Sequence, residues 1–411
     1  MVDVTARGAK PIALEALDRK IGLGLLTLYG IGVMVGAGIY VLVGTAIGEA
    51  GVWAPVSFLL AGLVAVPTAL SFSELSTRIP EAAGDSVYVE LGLRSHSLSM
   101  LVGWINIIVG TVAGAAVLRG GVGYLTSIVD IPFAVGVIGL GLALTLVAVI
   151  GVMESLALAG LFTVIEVVGL GLVVWAGFQG ESVADWSAPP APYWPGIFGA
   201  SIFAFFAFIG FDDLVNMAEE AKNPGRNMPA AILIALAVTA ALYALVSLAA
   251  VRTVPQEIIA TSERPLALVW ETATGRSAAF LAAIAVFASL NGVLAQIVMA
   301  SRVLFGLGRR STLLRVFYHA HPRFGTPVLA TLLLGAALVG AALALPVATL
   351  AEFASIALLF VFSVVNLSLI VLKRRVPAAP FRVWTIVPYL GLLACVGAFA
   401  ASLGGFDMGA H

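Results

Sequence analysis

Apolar residues fill this chain in long blocks, and polar residues collect between them. Eleven apolar segments stand out, at about 22–48, 52–77, 97–118, 132–151, 154–177, 195–216, 229–251, 277–305, 327–345, 349–372 and 383–403. Most approach or exceed the ~20 residues that a helix needs to cross a bilayer. The pattern predicts an all-α polytopic membrane protein with about 11 transmembrane helices. No connection is longer than about 25 residues, so no separate soluble domain is expected.

Composition agrees: 61% of residues are hydrophobic and 10% charged. Charge adds an orientation. With residues 1–21 placed in the cytoplasm, Arg119, Arg252, Arg264 and Arg276 fall outside, and the other 17 of the 21 Lys and Arg fall inside. That asymmetry is the one cytoplasmic loops show, so the cell membrane, a cytoplasmic N-terminal segment and an outer tail at 404–411 are expected. The first 20 residues are polar and lack a short apolar core with a small-residue cleavage site, so no cleavable signal is expected. Cys395 is the single cysteine, which removes a disulfide framework and a cysteine metal site. His96, His319, His321 and His411 share no metal-ligand spacing, and no GxSxG, HExxH or phosphate-binding loop occurs. An enzyme, a cofactor, a metal and a nucleic-acid partner are therefore not expected.

One segment departs from the helical pattern. Between Gly30 and Gly38 four of nine residues are glycine, and each costs a helix roughly 1 kcal/mol against alanine. Irregular backbone at membrane depth is tolerated where protein buries it or where it lines a watery cavity. Gly36-Ala37-Gly38 thus reads as an unwound hinge, with free amides near Ile39 and free carbonyls near Val35. One end attracts a carboxylate and the other an ammonium, which makes a broken helix a site for a zwitterion. A competing reading makes Gly32 and Gly36 a small-residue packing face on an unbroken helix. Five segments later an aromatic-rich run, Ser201 to Phe208, meets Gly210 and then Asp212 and Asp213 while still at membrane depth. Two corresponding interruptions are what an inverted repeat of five plus five helices predicts, at 22–177 and 195–372 with an additional helix at 383–403.

The ordered motifs carry a resemblance. Gly30 to Tyr40 is similar to the GIGxxxGxGIF signature of the amino acid-polyamine-organocation (APC) permeases. Ala69 to Leu75, followed by Pro80, Gly84 and Tyr88, is similar to the end of that family's second helix. The closest match runs from Phe206 to Asp212 into Glu219-Glu220-Ala221-Lys222-Asn223-Pro224-Gly225-Arg226. Ser289 to Gly292 and Ser301-Arg302 also resemble the family. The resemblance implies a LeuT-type fold that holds an amino acid at the midplane between helices 1, 3, 6, 8 and 10. It implies that the backbone amides of Gly36, Ala37 and Gly38 bind the substrate carboxylate. The carbonyls near Val33, Phe206, Ala207 and Ile209 would bind its amino group, and Phe206 matches a gating aromatic. Two departures stand out: Ala37 replaces a common Ser or Thr, and eleven helices replace the usual twelve.

Ionisable residues within spans are costly and mark function by default. Glu166 lies in the middle of segment 5, where the resemblance places a lysine in some proton-coupled permeases. A carboxyl group in lipid is suited to taking up and releasing a proton, and equally to ligating sodium. The absence of an adjacent hydroxyl pair near Ser289 favours the proton; a protonated glutamate that merely packs is the plain alternative. Asp212 matches an acid kept by the family, as a proton relay or a helix-end contact. Asp213, Glu74 and Glu352 read as structural. The expected function is secondary active transport of amino acids, proton-coupled, by alternating access. A sodium-coupled symporter or an exchanger of the same fold is the alternative, followed by a transport-dead sensor. The expected partners are an amino acid, protons or sodium, and the lipid bilayer. The oligomeric state is not legible.

Overall fold

The computed structural model describes residues 21–79, 84–150, 156–180, 182–183, 188–218, 221–311, 313–321 and 326–405. Residues 1–20, Pro80, Glu219, Glu220 and the end of the expected tail, 406–411, lie outside the described residues, as does the side chain of Ala37. The helices are α1 (Leu23–Ala50), α2 (Ala54–Arg78), α3 (Gly84–Leu93), α4 (His96–Thr126), α5 (Phe133–Ile150), α6 (Leu156–Gln179) and α7 (Trp194–Ala207). They continue with α8 (Pro224–Thr253), α9 (Gln256–Ile259), α10 (Pro265–Thr274), α11 (Ala279–Arg310), α12 (Val328–Ala344), α13 (Val347–Arg375) and α14 (Ile386–Gly405). Among the described residues there is no β-strand; one isolated bridge pairs Ile21 with Ala221. Among the described residues, seven helical stretches are long and apolar enough to cross a membrane. The shorter apolar helices Leu23–Gly36, Trp194–Ala207, Val328–Ala344 and Ile386–Ser402 lie among them.

Each apolar segment of the sequence overlaps one of these helices, although α7 fills only the first part of the segment at 195–216, while α3, α9 and α10 arise in the connections. In lipid the hydrophobic effect does little to draw helices together, so close packing and buried hydrogen bonds must do so. Small residues provide the first. Along α4, Gly110 and Gly121 face Gln296 and Ser289 of α11, and the two backbones approach closely. Buried polar groups provide the second. Asn366 on α13 donates to Thr68 Oγ1 on α2 (2.9 Å) and accepts from Ser71 Oγ (2.7 Å), while Thr68 also meets Cys395 Sγ on α14 (3.4 Å). One turn further along, Glu74 accepts from Lys373 Nζ, Arg78 and the Val383 amide, all buried or nearly so. Helices α2, α13 and α14 are thereby pinned together along the second half of α2.

The connection after α8 is not a bare loop. Helices α9 and α10 pack on the second half of α1: Ile259 and Pro265 contact Gly44, and Gln256 Nε2 donates to Gly48 O (2.9 Å). The Tyr124 hydroxyl accepts from the Leu266 amide (3.3 Å) and donates to Tyr40 O (2.7 Å), which ties α10, α4 and α1 together.

Candidate functional site

Helix α1 leaves helical dihedrals at Gly36 (φ 3°, ψ −166°), between Leu23–Gly36 and a second stretch that begins at Gly38. A backbone that departs from the helix at one residue frees carbonyls before it and amides after it. Helix α7 stops at Ala207 and gives way to turns through Asp212 and a 3₁₀ stretch, Asp213–Met217. The last turn tightens: Phe208 N–H donates to Phe205 O (2.9 Å) and Ile209 N–H to Phe206 O (3.1 Å). Gly210 then takes φ +124°, which L side chains rarely adopt, and its amide donates to Asp212 Oδ1 (3.0 Å). In this structure Asp212 is therefore a turn-closing acceptor beside the interruption.

The two interruptions face each other. A Cβ on Gly210 would lie 2.6 Å from Val33 Cγ1 and 3.1 Å from Val33 O. One on Gly38 would lie 3.2 Å from Ala207 Cα and 3.6 Å from the ring of Phe206. At Gly36 a Cβ would meet nothing within 4 Å, so open space lies beside the break itself. Val33, Gly38, Phe206 and Ala207 are thus brought together, with Gly36 and the backbone of Ala37 between them. Of the expected carbonyls, Phe206 O accepts from the Ile209 amide and Ala207 O from a tyrosine that sequence reasoning missed.

That tyrosine is Tyr243 on α8. Its hydroxyl stands 2.6 Å from Met34 O and 2.9 Å from Ala207 O, so one hydrogen is shared between the ends of both interrupted helices. The ring is fully buried, edge-on to Phe58 (5.8 Å between centroids) and to Phe208 (5.2 Å), which fixes where the hydroxyl points. A lone tyrosine in an apolar span has no local signal, because its partners lie 36 and 209 residues away in sequence.

Glu166 is placed by the packing of α6 on α1. Three residues before it, Thr163 presses its hydroxyl onto Gly32, where no side chain would fit. Three residues after it, Gly169 lies against Tyr40, a Cβ there being 3.4 Å from the Tyr40 hydroxyl. Residues three apart share a helix face, so Glu166 looks at α1 between Gly32 and Tyr40, level with Gly36. It is 4% exposed. Tyr40 Oη donates to its backbone carbonyl (3.2 Å), and among the described residues no hydrogen bond or ion pair reaches its carboxyl.

A further acid emerges on α3, a helix the sequence pattern did not single out. Asp85 is buried and accepts from Asn106 Nδ2 (3.0 Å). Burial, with the neighbouring Asp212 carboxylate adding to it, pushes its pKa up to about 7 against the pull of the Asn106 amide. Glu74, by contrast, is occupied by Lys373 and Arg78. Among the described residues no group of three His, Cys, Asp or Glu is arranged to hold a metal.

Comparison with known proteins follows the same line. A family model described as amino acid permease matches residues 22–407. The chain is 28% identical to the branched-chain amino acid permease BcaP of Bacillus subtilis, over 93% of this chain and 88% of that protein. It is 30% identical to the methylthioribose transporter of the same organism, with the same coverage of each. It is also 30% identical to human cationic amino acid transporter 4, over 86% of this chain and 60% of that longer protein.

Proposed function

Because the chain belongs to the amino acid permease family, a family of transporters and not of enzymes, we propose that it carries an amino acid across the cell membrane, driven by protons, by alternating access. The observation that carries this reading is the meeting of two interrupted helices beside one buried carboxyl. The amides from Gly36 to Gly38 offer donors to a carboxylate. The carbonyls of Val33, Phe206, Ala207 and Ile209 offer acceptors to an ammonium a bond or two away. An ammonium entering here would compete with Tyr243 and Ile209 for the two carbonyls already engaged. Phe206 covers the meeting point, with its ring against Gly38.

Glu166 is the proton carrier in this proposal, because it sits level with the break without a polar partner of its own. Neutral, it suits its surroundings; ionised, it favours a rearrangement that brings water or a cation to it. Asp212 is the second candidate, since a proton on it weakens its hold on the Gly210 amide and loosens the turn at the end of α7. The repeats at 22–177 and 195–372 would then move against one another around the fixed site, with the N-terminus cytoplasmic. A proton is favoured over sodium because Ser289 on α11 has no adjacent hydroxyl with which to form a pair of cation ligands.

The test is uptake of a panel of labelled amino acids into proteoliposomes under an imposed pH gradient and, separately, a sodium gradient. Accumulation that follows the pH gradient alone is expected. Accumulation that follows sodium alone would remove Glu166 as the proton carrier, and binding without counterflow would replace transport with sensing.

A further inference from the structure

Where α13 leaves the apolar layer and α14 enters it, a hollow of about 70 Å³ is lined by Ile370, Lys373, Arg374, Arg382, Thr385 and Tyr389. Its chemistry is one-sided: three cations and two hydroxyls, with no acid in the wall. Lys373 is committed to Glu74 and to Val383 O (2.8 Å). Arg374 and Arg382 are exposed, and neither has an acidic partner among the described residues. Arg374 donates instead to the Tyr389 hydroxyl (2.7 Å), which holds its guanidinium at the rim and leaves the phenol hydrogen free to point into the hollow. Two guanidiniums with two hydroxyls form a donor set matched to a phosphate, whose oxygens accept in pairs.

The surroundings distinguish a lipid phosphate from a free one. The hollow lies at headgroup depth, because the apolar run of α13 ends in Lys373, Arg374 and Arg375 and that of α14 starts at Ile386. Trp384, at 82% exposed, stands beside it as such interfacial rings do. From there Ile386, Leu390 and Leu393 form an exposed apolar stripe along one face of α14. A free phosphate has no use for that stripe, whereas acyl chains would lie along it.

We propose that this hollow binds the phosphate of an anionic phospholipid, with its acyl chains along α14. Basic pockets between membrane helices bind such headgroups by the same chemistry. The site has a mechanical neighbour. Lys373 belongs both to its wall and to the buried pair with Glu74, so a bound phosphate draws on the charge that holds α13 to α2.

The test uses the full chain reconstituted in phosphatidylcholine with or without phosphatidylglycerol, followed by native mass spectrometry of the lipid retained. Wild type should keep phosphatidylglycerol in preference to phosphatidylcholine. Replacing both exposed cations, Arg374→Gln with Arg382→Gln, should lower that preference about twenty-five-fold, at about five-fold for each cation near a charged surface. The charge-keeping pair Arg374→Lys with Arg382→Lys should retain most of it, which separates lost charge from lost fold. Undiminished retention by the Gln pair overturns the proposal, and so does displacement of the lipid by millimolar inorganic phosphate.

Discussion

Gly38 is the position where the meeting of the two interruptions can be tested by adding a few atoms in steps. A Cβ there would lie 3.2 Å from Ala207 Cα, 3.5 Å from Ala207 Cβ and 3.6 Å from the Phe206 ring. Carbon atoms prefer about 3.5–4.0 Å, so Gly38→Ala asks the two helices to part by a few tenths of an ångström. Alanine also returns up to ~1 kcal/mol of helix propensity. Its net effect on stability should stay within about 1 kcal/mol. Gly38→Val adds a branched Cβ and two methyls against the Ala207 backbone, which cannot swing aside, and overpacking of this kind costs about 1–3 kcal/mol. The effect on binding should be larger than the effect on folding. A carboxylate held by two charge-assisted bonds of about 1.5–3 kcal/mol each would lose two to four orders of magnitude in affinity at about 1.4 kcal/mol per decade. Thermal unfolding and calorimetric binding of the best substrate, both on detergent-purified protein, read the two quantities separately. Gly171→Ala on α6, where nothing lies within 4 Å, is the control and should leave binding unchanged. If Gly38→Val loses stability yet binds within a few-fold of wild type, the substrate does not approach this backbone and the proposed site is wrong.

Glu166→Gln should abolish accumulation driven by a pH gradient while leaving counterflow exchange measurable; unchanged driven uptake removes Glu166 from the coupling. Tyr243→Phe keeps the ring between Phe58 and Phe208 but leaves Met34 O and Ala207 O without their shared donor. An unpaired buried acceptor costs about 1–3 kcal/mol, and thermal unfolding of the variant should report a loss of that order, a wild-type midpoint ruling out the shared bond. The acid on α3 gives a pH prediction of definite sign. Asp85 has its pKa raised to about 7 in the folded protein, so its contribution is fully present below the unfolded value and disappears as pH rises through about 7. Thermal midpoints should therefore fall between weakly acid and weakly alkaline pH, and Asp85→Asn should flatten that slope; an equally steep slope in the variant assigns it to another group.

Architecture was legible because lipid imposes one rule on every span: backbone groups must be satisfied internally. Apolar runs of the right length therefore announce helices whatever their detailed sequence. The short helices α3, α9 and α10 escaped because they lie in mixed-polarity connections, and their burial depends on what they cover. Glycines at 36, 38 and 210 were readable as irregularities, since glycine is costly in a helix, and at Gly38 and Gly210 a side chain would meet the opposite segment. The partners of those glycines were not readable. Thr163 on Gly32, Ala207 opposite Gly38 and Tyr243 across both helix ends are tertiary facts between segments far apart in the chain. Asp85 was hidden in the same way, as its neighbours Asn106 and Asp212 come from two other elements.

The amide of Asn366 lies against Gly391, where an added Cβ would collide with it. The last helix is thus a wall that shields a polar seam from oil. Deleting it would remove the Cys395 contact to Thr68 and turn Thr68, Ser71 and Asn366 toward hydrocarbon, where their polar atoms would be bonded only to one another and to their own helix backbones. The same seam couples α2 to α13 and α14, since all three share its hydrogen bonds, so a displacement of α2 would strain both neighbours.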